Sequence, residues 1–297
     1  MLSICIPVYN VDVRTLVIRL IDQANKENIE VEICIFDDGS LDIFKVKNRS
    51  LADLQSVNYV ELKKNLGSAA IRNELAHKAR FDNLLFIDSD SGIPDDYLNK
   101  YKYFFETDYS IICGGRIHPS SLPDPDLSLR WKVGRYREDF SALQRNKVPN
   151  KSFMSNNFLI KRAIFNIVKF NDKIERSGHE DTMFGIELER NKIVIEHIDN
   201  AVIHLGLENN DEFITKSEQR LETLILLKNY HSNDSLMFKR IKVLRIFKLI
   251  EALKLKSLIS VIFKITKPRI IIQLKKHNPN LFLYDFYKLG YLVNRLK

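Results

Sequence analysis

Residues 84–90 read Leu-Leu-Phe-Ile-Asp-Ser-Asp, a short apolar run that ends on two carboxylates separated by one residue. Nothing polar interrupts the run, as expected of a strand whose two sheet faces are both covered. Four similar runs begin at Ser3 (SICIPVY), Val31 (VEICIF), Val57 (VNYVEL) and Tyr109 (YSIICGG), so that successive starts lie 28, 26, 27 and 25 residues apart. Intervals of this length hold a helix and two turns. Apolar residues at helical spacing fill them: Val13, Leu16, Val17, Leu20, Ile21 and Ala24 after the first run, and Ala70, Ile71, Leu75 and Ala79 after the third. The pattern over residues 1–117 therefore predicts an α/β fold, an open and mainly parallel sheet flanked by helices.

Such sheets bind ligands beyond the carboxyl ends of their strands. Asp37 and Asp38 follow the second run, and Asp88 and Asp90 the fourth. Either pair alone serves equally well as a cap for the next helix, but four carboxylates at one sheet edge repel unless a cation or ligand donors offset them. Side chains two apart in extended backbone share a face, which lets Asp88-Ser89-Asp90 address one hard cation and its phosphate ligands. No dinucleotide-type glycine fingerprint follows the first run, and no P-loop occurs anywhere. Pro7-Val8-Tyr9-Asn10 stands there instead, and Asn65-Leu66-Gly67-Ser68-Ala69-Ala70-Ile71-Arg72-Asn73 follows the third run. Gly67 lets the backbone turn into a helix carrying Arg72, which offers amides and a guanidinium to a diphosphate; the alternative is a surface cap with a solvated arginine.

Residues 118–212 are more mixed, with an expected helix over Trp131–Gln144 and expected strands over Phe153–Ile160 and Ala201–Leu205. From Asp211 the pattern is helical, with Pro268 and Pro279 as expected breaks. Charge divides at the same place. Of the 297 residues, those from Phe213 onward hold 13 Lys and 5 Arg against 5 acidic residues, whereas residues 1–212 carry 28 basic and 33 acidic ones. We divide the chain accordingly into residues 1–212, with one part over 1–117 and a second over 118–212, and a basic helical region over 213–297. Ile241, Leu244, Phe247, Ile250 and Leu253, spaced by three among lysines and arginines, suit either an anionic membrane surface or a helical subdomain packed on the rest of the chain. Nucleic acid is a poorer partner, since the remainder is acidic and no reading motif is present. Charge-free stretches such as Ser257–Phe263 fall far short of the roughly 20 residues needed to span a bilayer. Three cysteines, Cys5, Cys34 and Cys113, form no paired framework, and residues 1–9 read as a strand rather than a secretion leader, so a cytoplasmic protein is expected.

PVYN, FDDGS, NLGSAAIRN and FIDSD, in this order, resemble a family 2 glycosyltransferase with the nucleotide-sugar-binding GT-A fold. The likeness extends through Ser155-Asn156-Asn157, Phe170-Asn171-Asp172 and Gly178-His179-Glu180-Asp181-Thr182-Met183-Phe184-Gly185, over about 205 residues. GHEDTMFG with His204-Leu205-Gly206 further resembles galactosyl- and N-acetylgalactosaminyltransferases that carry an ED motif and a metal-binding histidine.

The resemblance implies an inverting, metal-dependent hexosyltransferase that takes a sugar from a UDP-sugar to a saccharide or lipid-linked glycan, in surface polysaccharide synthesis. On it, Asp37 accepts a hydrogen bond from the uracil ring, and Pro7 and Tyr9 wall the base. Asn10, Asp38, Asn65, Gly67, Arg72, Ser89 and Asn157 complete the nucleotide-sugar site, with Asp88 turned to the ribose or donor sugar. Asp90 and His204 hold Mn2+ or Mg2+, Asp181 is the general base, and Glu180 holds acceptor or donor sugar. A lone strand histidine such as His204 more often has a structural role, so its assignment as a metal ligand leans on the resemblance. His179 shapes the acceptor pocket, and Trp131 is a core residue or, less readily, a sugar platform. The alternative to an enzyme is a non-catalytic sugar-nucleotide-binding or scaffold protein of the same fold; the base Asp181 distinguishes them, because a binding module has no use for it. The partners expected are the UDP-sugar, the glycan acceptor and an anionic membrane surface, with the protein peripheral on the inner face of the cell membrane.

Overall fold

The computed structural model describes residues 1–173, 178–230 and 234–296. In chain order the elements begin β1 (Leu2–Val8), α1 (Arg14–Lys26), β2 (Val31–Asp37), α2 (Asp42–Asn48), β3 (Val57–Glu61), α3 (Ser68–Lys78), β4 (Asn83–Ile87) and β5 (Ser91–Gly92). They continue as α4 (Tyr97–Lys102), β6 (Ile111–Cys113), β7 (Arg116–Ile117), α5 (Ser128–Arg137), α6 (Ala142–Arg145), β8 (Asn157–Lys161), α7 (Arg162–Ile167), α8 (Glu180–Arg190), β9 (Ile195–His197) and β10 (Val202–His204). The last five are α9 (Asn210–Tyr230), α10 (Ser235–Arg240), α11 (Lys242–Ala252), α12 (Lys256–Leu274) and α13 (Leu281–Arg295). Two compact units result. One comprises Met1–Ile117, Asp139–Glu175 and Met183–Gly206; the other comprises His118–Glu138, Arg176–Thr182 and Leu207–Lys297.

The first unit is built on a seven-stranded sheet of order β3-β2-β1-β4-β8-β6-β9, in which only β8 runs antiparallel to its neighbours. Both faces of β1 are buried, which is why the strand lacks polar alternation: Leu2, Ile4, Ile6 and Val8 join one apolar layer, and Cys5 joins the other with Cys34, Cys113, Phe86 and Phe158. The cysteines are small apolar fillers in that layer, as expected. A second sheet of order β5-β10-β7 is formed from three very short strands.

The second unit is helical, with Leu129 and Val133 of α5, Phe213 of α9, Phe263, Ile270 and Leu274 of α12 and Tyr284 and Tyr287 of α13 in one core. Several local expectations change. The Trp131–Gln144 helix divides into α5 and α6, and β8 starts four residues later than expected, at Asn157. Pro268 lies within α12 and does not break it. Phe263 and Ile270, on either side of it, are both buried, and that packing offsets the roughly 3 kcal/mol that an interior proline costs a helix. Tyr101 of α4 is fully buried, whereas Tyr103, which follows the last residue of that helix, is 75% exposed.

At the amino end of the main sheet Glu32, on β2, accepts from the Ser3 hydroxyl at 2.6 Å and from the Arg80 guanidinium at 2.7 Å, and also from the Arg80 amide. Burial opposes its charge, but these donors outweigh burial and hold the carboxyl below its ordinary value of 4.5. A depressed folded value stabilises the fold above the unfolded value and loses that contribution as pH falls through the folded one. In urea denaturation, Glu32→Gln should cost about 1–3 kcal/mol at neutral pH, and the gap to the parent should narrow as pH falls below 4.5. A gap independent of pH would remove the carboxylate charge from this account.

Candidate active site

The first unit brings Asp37, Asp38, Asp88 and Asp90 to the carboxyl ends of β2 and β4, two strands separated in the sheet only by β1. Parallel pairing of β1 with β2 continues to Val8 and Asp37, so the PVYN and FDDGS segments leave the sheet side by side. Asn10, at φ 56, joins them: its amide donates to Ser40 Oγ at 2.8 Å and its Oδ1 accepts from the Leu41 amide at 2.8 Å. Asp37 is fully buried and accepts from the Ser40 amide at 2.7 Å. Asp38 faces the other way along the loop, accepting from the Leu66 and Gly67 amides at 2.6 and 3.0 Å. Burial raises its carboxyl, those amides lower it, Asp37 raises it again, and the net shift is upward. Asn65 Nδ2 donates to the Asp38 carbonyl at 3.0 Å. Tyr9 is 54% exposed with Pro7 half-buried before it, which leaves an aromatic face in the open.

Gly67 precedes α3 at φ 87, a conformation that favours glycine, and no atom lies within 4 Å of where its Cβ would stand. The first turn of α3 follows that open space. Arg72, one turn further, does not extend into solvent. It is buried, donates to Asp88 Oδ1 at 2.5 Å and to the Ser68 carbonyl at 2.8 Å, and lies 5.8 Å from the Phe170 ring.

Asp90 is held by the second sheet. Antiparallel pairing sets His204 of β10 opposite Ser91 of β5, and His204 Nε2 lies 3.1 Å from Asp90 Oδ2. Burial works against the Asp90 carboxylate, but the His204 hydrogen bond and charge, with Arg116 of β7, outweigh it and hold it below the usual range. A Cβ on Gly206 would collide with the same carboxylate, so this position must stay bare. Ser89 sits half-buried between the two acids.

One carboxylate oxygen and one imidazole nitrogen suit a Mn2+ or Mg2+ ion that takes its other ligands from phosphate and water. Among the described residues, no group of three His, Cys, Asp or Glu side chains could hold an ion alone.

Asn157 and Asn156 are placed in opposite ways. Asn157 Oδ1 accepts from the Tyr97 and Tyr101 hydroxyls at 2.8 and 2.7 Å, and its Nδ2 donates to the Gly115 and Asn200 carbonyls at 2.8 Å each. All four hydrogen-bonding positions of that amide are used inside the protein. Asn156, whose carbonyl accepts from the Asp88 amide at 3.1 Å, is also buried, yet neither atom of its side-chain amide has a partner among the described residues. Sequence reasoning passed over Asn156, Arg116 and Gly206; only the adjacency of Asn156 to Asn157 in SNN, and of Gly206 to His204 in HLG, marked two of them.

The second unit holds the ED pair. Glu180 and Asp181 open α8, where the helix dipole favours carboxylates, and Glu180 Oε2 accepts from the Gly178 amide at 2.7 Å. His179 precedes them at φ 67. Desolvation pushes its imidazole down to about 4; Glu180 opposes that shift, and Arg220 and Lys288 reinforce it. Trp131 is half-buried and donates from Nε1 to the Pro119 carbonyl at 2.8 Å.

The first unit thus sets two acids at each of two strand ends in front of a mainly parallel sheet. The description "Glycosyl transferase family 2" matches residues 3–167, and the chain belongs to that family. A Haemophilus influenzae protein named "Uncharacterized glycosyltransferase" is 25% identical over 210 residues, 69% of this chain and 80% of its own. The fold is also similar to that of TarS 1-349 of S. aureus in complex with UDP-GlcNAc (TM-score 0.52, 15% identity, 97% of this chain and 90% of that one). A third likeness is to the mannosyltransferase PcManGT of Pyrobaculum calidifontis in complex with GDP-Man and Mn2+ (TM-score 0.55, 12% identity, 100% of this chain and 86% of that one).

The two asparagines should separate by experiment. Asn157→Ala removes a donor from the Asn200 and Gly115 carbonyls, of which only Gly115 keeps another in the Val202 amide, and takes the acceptor from two tyrosine hydroxyls; it should cost about 2–4 kcal/mol in urea denaturation. Asn156→Ala removes an unpartnered amide and should leave stability within about 1 kcal/mol while weakening nucleotide-sugar binding. Equal destabilisation by both would reduce Asn156 to a packing residue.

Proposed function

We propose that the chain is an inverting, metal-dependent glycosyltransferase that moves a hexose from a UDP-sugar to a saccharide or lipid-linked glycan acceptor in surface polysaccharide synthesis, at the cytoplasmic face of the membrane. The observation that carries this reading is the set of strand-end acids, with Asp90 beside His204 and Asp88 beside Arg72, in a chain of family 2. The likeness to a UDP-GlcNAc complex and to a GDP-Man and Mn2+ complex supports a nucleotide-sugar donor and a divalent ion. The choice of uridine rests on Asp37, and the resemblance to galactosyl- and N-acetylgalactosaminyltransferases on the GHEDTMFG segment with His204-Leu205-Gly206, which leaves the sugar open.

In this reading Tyr9 and Pro7 take the base, the loop at Gly67 and the start of α3 take phosphate, and Asn156 contributes the donor-sugar amide that Asn157 cannot. Asp90 and His204 would hold the divalent ion, which neutralises the charge developing on the leaving diphosphate. Asp181 accepts the acceptor hydroxyl proton as that oxygen bonds to the anomeric carbon and the bond to the diphosphate oxygen breaks. One displacement from the face opposite the leaving group inverts the configuration. Glu180 holds a sugar hydroxyl, and His179, neutral near pH 7, offers one donor and one acceptor to the acceptor pocket.

Two measurements test this. Calorimetry of UDP with Mn2+ should show binding that Asp90→Ala greatly weakens, and equal affinity in the variant would remove Asp90 from the ion's site. In a panel of UDP- and GDP-sugars, Asp181→Asn should keep donor binding while turnover falls by about 10² to 10⁴-fold, the usual contribution of a positioned base. Parental turnover, or retention of the donor's anomeric configuration, would overturn the assignment; donor binding with no transfer in the parent would favour the non-catalytic alternative.

A further inference from the structure

The face of the basic tail that its sequence offers to a membrane is turned inward. Ile241, Leu244, Phe247 and Ile250 are all buried, and of the set only Leu253 is exposed. A different apolar face is left open on α12. Its inner side, Ser260, Phe263, Ile270 and Leu274, is buried, whereas Leu258, Val261, Ile262, Ile265 and Ile272 are 55%, 55%, 38%, 69% and 64% exposed. At 100° per residue these five fall within one arc of about 100°, and at 1.5 Å per residue they extend for roughly 21 Å along the helix. A surface helix ordinarily turns one apolar stripe inward and a polar face outward; α12 is apolar on both.

Its surroundings specify what would cover the outer stripe. No Asp or Glu occurs from Ala252 through Tyr284, a stretch that includes seven basic residues. Three of these are tied to acids elsewhere, Lys256 to Glu251, Lys267 to Glu218 and Lys275 to Asp211. Lys254, Lys264, Arg269 and Lys276 are exposed and form no ion pair with any described residue. Arg269 lies on the same arc as the exposed apolar residues, Lys264 flanks it, and Lys254 and Lys276 lie just beyond the two ends of the helix. Docking two copies through this face would set the four cations against their own kind, at a cost in repulsion. A lipid surface with anionic headgroups instead supplies both an apolar layer for the stripe and counter-charges for its rim.

We propose that α12 docks the chain on an anionic lipid surface through Leu258, Val261, Ile262, Ile265 and Ile272, with Lys254, Lys264, Arg269 and Lys276 at the headgroups. No helix among the described residues is long and apolar enough to cross a membrane, so α12 would lie in the surface plane. The proposal stands apart from the sugar-transfer reading, since none of these residues belongs to the candidate site.

The full chain is floated with phosphatidylcholine vesicles, with and without phosphatidylglycerol, at low and high salt. Binding should require phosphatidylglycerol and fall with salt. Ile265→Asp and, independently, Ile272→Asp should weaken it by about tenfold or more, because each buries a charge where an apolar side chain entered. The Lys264→Glu, Arg269→Glu double variant should abolish the preference for anionic vesicles. UDP binding serves as the control, being expected to survive in every variant. Equal partitioning with and without phosphatidylglycerol, or parental binding by the aspartate variants, would overturn the proposal. So would a dimer in light scattering that Ile265→Asp converts to monomer, which would assign the face to a second copy.

Discussion

Acidic side chains brought to neighbouring strand ends repel one another, and the candidate site depends on how each charge is met. Asp38 is met by the amides of Leu66 and Gly67, Asp88 by the guanidinium of Arg72, and Asp90 by the imidazole of His204 with Arg116 nearby. Each answer comes from a different element: a loop, a helix and the small second sheet. For Asp90 these partners outweigh the opposition of burial to the charge. The arginine that the sequence offers either to a diphosphate or to solvent is thus already engaged by Asp88. Part of the positive charge that α3 brings to the strand ends is thus already neutralised.

Much of the first unit is legible in the sequence because burial on both sheet faces leaves an unmistakable mark. Runs such as SICIPVY and LLFI have no polar alternation, and their spacing allows one helix per crossover. The α/β sheet follows from those two facts, and it locates the strand-end acids without any contact being known. Asn157 was not legible as a bracket for Tyr97, Tyr101, Gly115 and Asn200, because its partners are scattered over about a hundred residues. Neither was the meaning of Gly206, whose bareness matters only once Asp90 is beside it. Pairing between strands of two or three residues leaves almost no periodic signal, and β5, β7 and β10 are of that kind.

The tail shows where pattern and packing part company. An amphipathic helix announces that one face will be buried, not what will bury it. In α11 the face is covered by protein, while the stripe on α12 stays open, and its period is obscured in the sequence by the apolar inner face on the same helix. Residues 118–138, which composition groups with the mixed central segment, gather with the C-terminal helices instead, through contacts such as Leu129 N to Asn210 Oδ1 at 2.8 Å. Hydrogen bonds over such separations have no local sequence signature.

The pairing of β5 with β10 also has a bearing on the order in which the protein becomes competent during synthesis. Asp90 and His204 are separated by 114 positions, so the main strands and α3 can be complete while Asp90 still lacks its partner. Until residues 202–206 have left the ribosome and placed their short strand between β5 and β7, the carboxylate has neither imidazole nor enclosure. A nascent chain would thus have synthesised β1 to β4 and α3 well before the partner of Asp90 existed.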